Sequence, residues 1–184
     1  MGSDPAAIRG LVKKARERDP DAFGKLYNEY IDRIFRYVYY KVGDFQEAQD
    51  IAGQTFLKAL ENLDSYEVRD VAFSSWLFRI AHNLVVDHFR RESKRESVPI
   101  ETEAPSDLGS VSPTESIFQE LDSERLYAAM QKLTHNQREV LILKFINSLP
   151  TSQVAEIMGI SPGAVKSTQR RGLQALNRIL SESR

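Results

Sequence analysis

From Ser93 to about Glu120 the chain drops the helical spacing that it keeps almost everywhere else, and no other feature limits the fold as much. The stretch holds Pro99, Pro105, Pro113 and Gly109, several serines, and the acids Glu96, Glu101, Glu103, Asp107, Glu115 and Glu120. Prolines remove backbone donors and like charges repel, so this composition reads as a flexible acidic linker. An ordered loop lying on one domain is the other reading. With a linker at 93–120, the chain divides into one domain at 1–92 and a second at 121–184. A length of 184 residues suffices for two small domains. No segment alternates apolar and polar residues at period two, so the expected class is all-α.

Four helices are expected on the N-terminal side. Pro5 to Arg18 has Ile8, Leu11, Val12 and Ala15 on one face. Asp19 can cap the next helix, with Pro20 at its first position. That helix carries Phe23, Leu26, Tyr27, Tyr30, Ile31, Ile34, Phe35 and Val38 and stops near Gly43. Asp44 and Glu47 stand at capping-box spacing before a third helix, in which Ala48, Ile51, Ala52, Phe56, Leu57 and Leu60 are expected inward. Gly53 in its middle costs on the order of 1 kcal/mol relative to alanine. A polar loop, Asp64 to Asp70, contains Tyr66 and leads to a basic helix at Phe73 to Arg95. There Phe73, Trp76, Leu77, Ile80, Ala81, Leu84 and Val85 form an apolar stripe. The other side carries Arg79, His82, Asn83, Asp87, Arg90 and Arg91, with Lys94 and Arg95 beyond.

In the second domain Leu121, Leu126, Ala129, Met130 and Leu133 line a first helix. Thr134 and Gln137 form a capping box for the next, with Val140, Leu141, Leu143 and Phe145 inward. A short helix after Pro150 ends at Gly159, and Ser161-Pro162 opens the last one. Two helices joined by so tight a turn predict a helix-turn-helix. Val154, Ala155 and Ile157 are expected to pack on Val165, Gly172 and Leu176.

Net charge is −1, which over the whole chain argues against a nucleic-acid binder; the distribution argues otherwise. From Ile160 to Leu180 there are four basic residues and no acid. A major groove would bring Ser161, Gly163, Lys166, Ser167, Arg170 and Arg171 to bases and phosphates. A generic helical bundle with a solvated basic face is the plainer alternative. Around Phe73 to Arg95, basic charge suits phosphates, while aromatic and amide groups suit exposed bases. Tyr66 either joins the aromatic core or holds an unstacked base.

There is no cysteine, which excludes disulfides and thiolate metal sites. His82 and His88 are six apart and no acidic cluster joins them, so no metal site is expected. No Gly-rich phosphate loop, carboxylate pair or Ser-His-Asp arrangement is legible, so no catalytic residue, cofactor or small-molecule substrate is expected. The start, MGSDPAAIRG, lacks the pattern of a secretion signal, and no run approaches the roughly 18–20 apolar residues of a membrane span. The expected compartment is the cytoplasm.

Three motifs together resemble the extracytoplasmic-function (ECF) group of bacterial RNA polymerase sigma factors. They are DIAGQTFLKAL (Asp50 to Leu60), FSSWLFRIAHNLVVDHFRR (Phe73 to Arg91), and LTHNQREVLILKF with VAEIMGISPGAVKS (Leu133 to Ser167). The resemblance implies that Asp50, Gln54, Phe56 and Leu57 dock on core polymerase. It implies that the −10 promoter element is read as single strand by Tyr66, Arg79, Ile80, Asn83, Asp87, Arg90 and Arg91, with a flipped base near Tyr66. The −35 element would be read as duplex by the second domain through the residues named above. The linker would thread the polymerase cleft, and an anti-sigma factor, often membrane-anchored in this group, would hold the chain inactive. No further domain follows Arg184, so control by a partner, not in cis, is expected. The chain departs from the family pattern at Gly53-Gln54, at Thr168-Gln169 and at Leu149-Pro150-Thr151; Gln169 lies on a line expected to be buried. A stand-alone helix-turn-helix regulator is the alternative, and it leaves the Trp76 motif and the acidic linker unexplained.

Overall fold

The computed structural model describes residues 4–66, 72–96 and 123–182, the side chains of 94–96, 123 and 124 excepted. The linker from 97 onward, Leu121 and the loop at 67–71 lie outside the described residues. Among the described residues there are eight α-helices and no strand. They are α1 (Pro5–Arg16), α2 (Pro20–Val42), α3 (Phe45–Glu61), α4 (Phe73–Glu96), α5 (Ser123–Gln131), α6 (His135–Leu141), α7 (Thr151–Met158) and α8 (Pro162–Glu182). A 3-10 turn, Leu63–Ser65, follows α3. No helix among the described residues is long and apolar enough to cross a membrane.

The helix boundaries follow their capping residues. The Asp19 carboxylate accepts from the amides of Asp21 and Ala22, ahead of Pro20. Gly43 ends α2 in the left-handed region (φ 84), where a Cβ is disfavoured. Thr134 and Gln137 complete a reciprocal capping box. Asp44 accepts from Glu47 N, but the Glu47 carboxylate does not return the bond; it turns to His88, 3.2 Å away. Gly159 (φ 64) closes α7, and Ser161 Oγ accepts from Ala164 N to start α8.

The inward faces differ from expectation in four places. In α3, Thr55, Phe56 and Ala59 are buried, whereas Leu57 and Leu60 are 57% and 51% exposed. The helix is rotated so that Leu57 continues the outward line of Asp50 and Gln54. After α6, Ile142–Ile146 forms a π-helical turn in which Asn147 N donates to Ile142 O. The wider turn carries Phe145 outward to 55% exposure, while Ile142 and Leu143 stay buried. In α8 the buried line is Val165, Thr168 and Gly172, leaving Gln169 half-buried. Gly172 lies close against α6, where a Cβ would stand 3.3 Å from Leu141.

The two domains pack on each other. Helix α7 lies on α4, and the π turn lies on α2. Arg33, over the rings of Tyr30 and Phe78, donates to Asn147 O at 2.8 Å. Tyr127 of α5 packs with its ring tilted against Tyr39 and Tyr40, at 5.6 and 6.0 Å between centroids. Tyr37 and Lys41, left out of the expected core, are buried because the second domain covers this face of α2.

Candidate functional site

Three surfaces emerge from this packing. The first is the outward line of α3. Asp50, Gln54 and Leu57 recur at i, i+4 and i+7 and are exposed together, with Gly53 between them. Phe56 is not part of this surface. It is 4% exposed and packs against Tyr27 at 4.7 Å, so its ring supports the helix from beneath.

The second is an open pocket of about 260 Å³ between the end of α3 and the middle of α4. Ile80, Asn83 and Asp87 line it, as their spacing on α4 suggests. Trp76 and Leu84, read from sequence as core, also contribute to the wall. Lys58, Asn62 and Ser65, which the spacing on α4 does not reach, complete the wall. Their signal is the i, i+4 spacing of Lys58 and Asn62, which turns one edge of α3 towards α4. Asn62 is held there, its Nδ2 donating to Lys58 O.

Tyr66 does not project from an open loop. It is 5% exposed and packs on Phe73 and Trp76, at 5.6 and 5.0 Å between centroids. Burial is the main reason its hydroxyl is shifted to higher pKa. The ring therefore backs Trp76 and does not face solvent. Arg79 leaves the pocket and reaches α7, donating to Glu156 O at 2.8 Å with the Glu156 carboxylate 3.7 Å away. A guanidinium at the carbonyl end of a helix complements the dipole, and here it adds a second donor to a carbonyl that otherwise takes only a 3.4 Å bond from Gly159 N. Arg90 and Arg91 are exposed further along α4.

The third surface is the outer face of α8. Ser161, Gly163, Lys166, Ser167, Arg170 and Arg171 are all exposed. Ser161 is occupied as the cap, and Ser167 Oγ donates to Ala164 O. Arg171 also reaches Thr168 Oγ1 at 3.4 Å, while Lys166 and Arg170 are exposed on the same face.

The histidines have acidic partners after all. His88 Nε2 lies 3.2 Å from Glu47 and 3.3 Å from Glu92, and the three potential ligand atoms lie within 4.8 Å of one another. Both glutamates are about half exposed, so solvent screens the cluster, as at other surface carboxylate–histidine contacts. His82 Nδ1 approaches Glu139 Oε1 at 3.2 Å, across the domain boundary.

Comparison with known proteins fits this geometry. Sigma-70 region 2 matches residues 26–95, and Sigma-70 region 4 matches residues 123–176. The chain is 36% identical over 182 residues to the ECF RNA polymerase sigma factor BldN of Streptomyces coelicolor, covering 98% of this chain and 68% of that protein. It is 31% identical over 183 residues to the ECF RNA polymerase sigma factor SigW of Bacillus subtilis, covering 95% of this chain and 97% of the relative. In fold it is similar to CnrH, solved with the cytosolic domain of CnrY, with a TM-score of 0.75 at 23% identity, covering 97% of this chain and 99% of the other. It is also similar to the sigma factor RpoE of Bartonella quintana, solved with the anti-sigma factor NepR. There the TM-score is 0.70 at 24% identity, covering 88% of this chain and 98% of the other.

Proposed function

Since this chain belongs to the ECF group of RNA polymerase sigma factors, we propose that it binds core polymerase and directs it to promoters, reading −10 as single strand and −35 as duplex. The observation that carries the reading is the pocket lined by Ile80, Asn83 and Asp87. It is too small for a duplex, it offers an amide and an indole wall, and it sits inside the region 2 match. An extruded base needs a face to stack on and a polar group to read its edge, which Trp76 and Asn83 supply. Tyr66 holds Trp76 from behind. Arg90 and Arg91, with Arg79 once it leaves α7, meet the phosphates of the melted strand.

The first domain, residues 1–92, docks on core polymerase through Asp50, Gln54 and Leu57, with Phe56 as internal support. The second, residues 121–184, lays α8 in the major groove, where Lys166, Arg170 and Arg171 provide charge and base contacts. Each surface is small, and tethering both to polymerase supplies the effective concentration that neither has alone. The chain acts as an initiation factor and does no chemistry of its own. It works in the cytoplasm and is held inactive by an anti-sigma factor.

Transcription in vitro tests this directly. With core polymerase the chain should initiate from a cognate promoter, and Arg171→Ala should weaken −35 recognition by about 1–3 kcal/mol. A chain that binds duplex DNA tightly without polymerase, and never joins core, would instead be a stand-alone regulator.

A further inference from the structure

Glu47, His88 and Glu92 converge from two helices on one point. Glu47 stands in the first turn of α3, while His88 and Glu92 face together at i, i+4 on α4. His88 Nε2 lies 3.2 Å from a carboxylate oxygen of Glu47 and 3.3 Å from one of Glu92. All three donor atoms lie within 4.8 Å of one another, and among the described residues no other three such donors come so close. The cluster is not acidic alone, because the imidazole supplies a directional nitrogen. The His88 side chain is only 16% exposed, and the ring of Phe89 rests edge-on against it at 5.4 Å between centroids. One side of the cluster is therefore apolar, and the glutamates open the other to solvent.

Hydrogen bonding explains this convergence poorly. Nε2 carries at most one hydrogen, so it cannot donate in full to two carboxylates. Glu47 forgoes the return bond of a capping box to be there. Half-exposed ion pairs contribute little in water. A divalent cation answers all three points, since it takes a lone pair from each donor and neutralises both carboxylates. The distances select among cations. Ligands at about 2.0–2.1 Å around a tetrahedral ion stand about 3.3–3.4 Å apart, close to the spacing from Nε2 to each carboxylate. An octahedral magnesium with bonds of about that length brings neighbouring ligands to about 2.9 Å, and both magnesium and calcium prefer oxygen throughout. An imidazole with two carboxylates suits zinc and its neighbours in the first transition row.

We infer that Glu47, His88 and Glu92 bind a divalent transition-metal ion, with zinc the best fit and water completing its coordination. The ion staples the start of α3 to the later turns of α4. It thereby sets the angle between the helix that carries Asp50, Gln54 and Leu57 and the helix that carries Ile80, Asn83 and Asp87. Its binding needs neither polymerase nor DNA, so the site stands or falls apart from the function proposed above.

The test is a calorimetric titration of the untagged full chain, stripped with a chelator and dialysed, with zinc chloride. One equivalent should bind per chain, and cobalt in its place should give the visible absorption of a four-coordinate site with nitrogen and oxygen ligands. At a hundredfold excess of zinc over Kd, Tm should rise by about 5–10 °C. Glu92→Gln keeps the shape of a half-exposed side chain, so the fold should survive. It should nevertheless weaken zinc binding by at least about tenfold and remove most of the rise in Tm. His88→Gln, checked for helicity by circular dichroism, should abolish both, whereas His135→Gln should change neither. Failure of the wild type to take up one equivalent overturns the site. Equal affinity in the wild type and Glu92→Gln overturns it too, as does an equal loss in His135→Gln.

Discussion

Gly53→Ala should stabilise this protein, and the size of the effect should report how the two domains melt. Gly53 lies in the middle of α3, is exposed, and has no atom within 4 Å of where a Cβ would stand. The methyl therefore makes no contact and meets no clash. The gain comes from the backbone freedom that glycine loses on folding, about 0.8–1 kcal/mol in a helix interior. If the N-terminal domain unfolds alone, as a unit of roughly 60–100 residues, that gain raises Tm by about 4–8 °C. If the closed molecule melts as one unit of 150–250 residues, the rise is only about 2–4 °C. Differential scanning calorimetry distinguishes the two and shows whether one transition or two is present. A Tm that stays level or falls would refute the argument, because it would mean that Gly53 does not occupy a regular, open helical position.

Further outcomes follow from burial and charge. Phe56→Ala should cost about 3–5 kcal/mol of folding stability. Leu57→Ala should stay within about 0.5 kcal/mol, yet weaken core polymerase binding in a pull-down. Asn83→Ala should reduce promoter opening, followed by permanganate reactivity, with no change in melting temperature; Tyr66→Ala should lose stability as well, because the ring is buried against Phe73 and Trp76. Finally, burial pushes the Glu139 carboxyl up, but the His82 hydrogen bond and the Lys41 charge more than offset this, holding it at about 2 against an ordinary 4.5. A value lowered by the interface means that ionised Glu139 favours closure fully above about pH 4.5, and that this contribution is lost as pH falls towards 2. Tyr37, Lys41 and His82 are the groups that face it, and scattering should show the chain expanding in that window. Expansion of equal size in Glu139→Gln would assign the effect to other groups.

Much of the fold is legible because it rests on local chemistry. Asp19, Gly43, Thr134, Gly159 and Ser161-Pro162 each mark a helix end by a cap or a left-handed turn, and the structure uses all of them. The facing of side chains is harder. Leu57 and Leu60 follow the helical period of a core line, and only packing on α2 and α4 decides that Thr55 and Ala59 turn inward with Phe56 in their place. Phe145 depends on one π turn that periodicity cannot register. Ile80, Asn83 and Asp87 were readable as one face of α4. Lys58, Asn62 and Ser65 come from a different helix and the turn after it, and only tertiary packing brings them to the same pocket. The partners of Glu139 are 57 to 102 positions away in the chain, out of reach of any local pattern.

Gly43 carries two demands at once. Its φ of 84 disfavours most side chains, although asparagine and aspartate tolerate such a conformation. Any Cβ there would also run into the hydroxyl of Tyr127 from the second domain, a ring already held between Tyr39 and Tyr40. An isolated N-terminal domain would accept Gly43→Asn at little expense, whereas the closed chain would have to displace Tyr127. The range of residues tolerated at this one position thus differs between two arrangements of the same molecule. Mutational tolerance at Gly43, scored in the whole chain and in the N-terminal domain alone, becomes a genetic readout of closure that needs neither a dye nor a promoter.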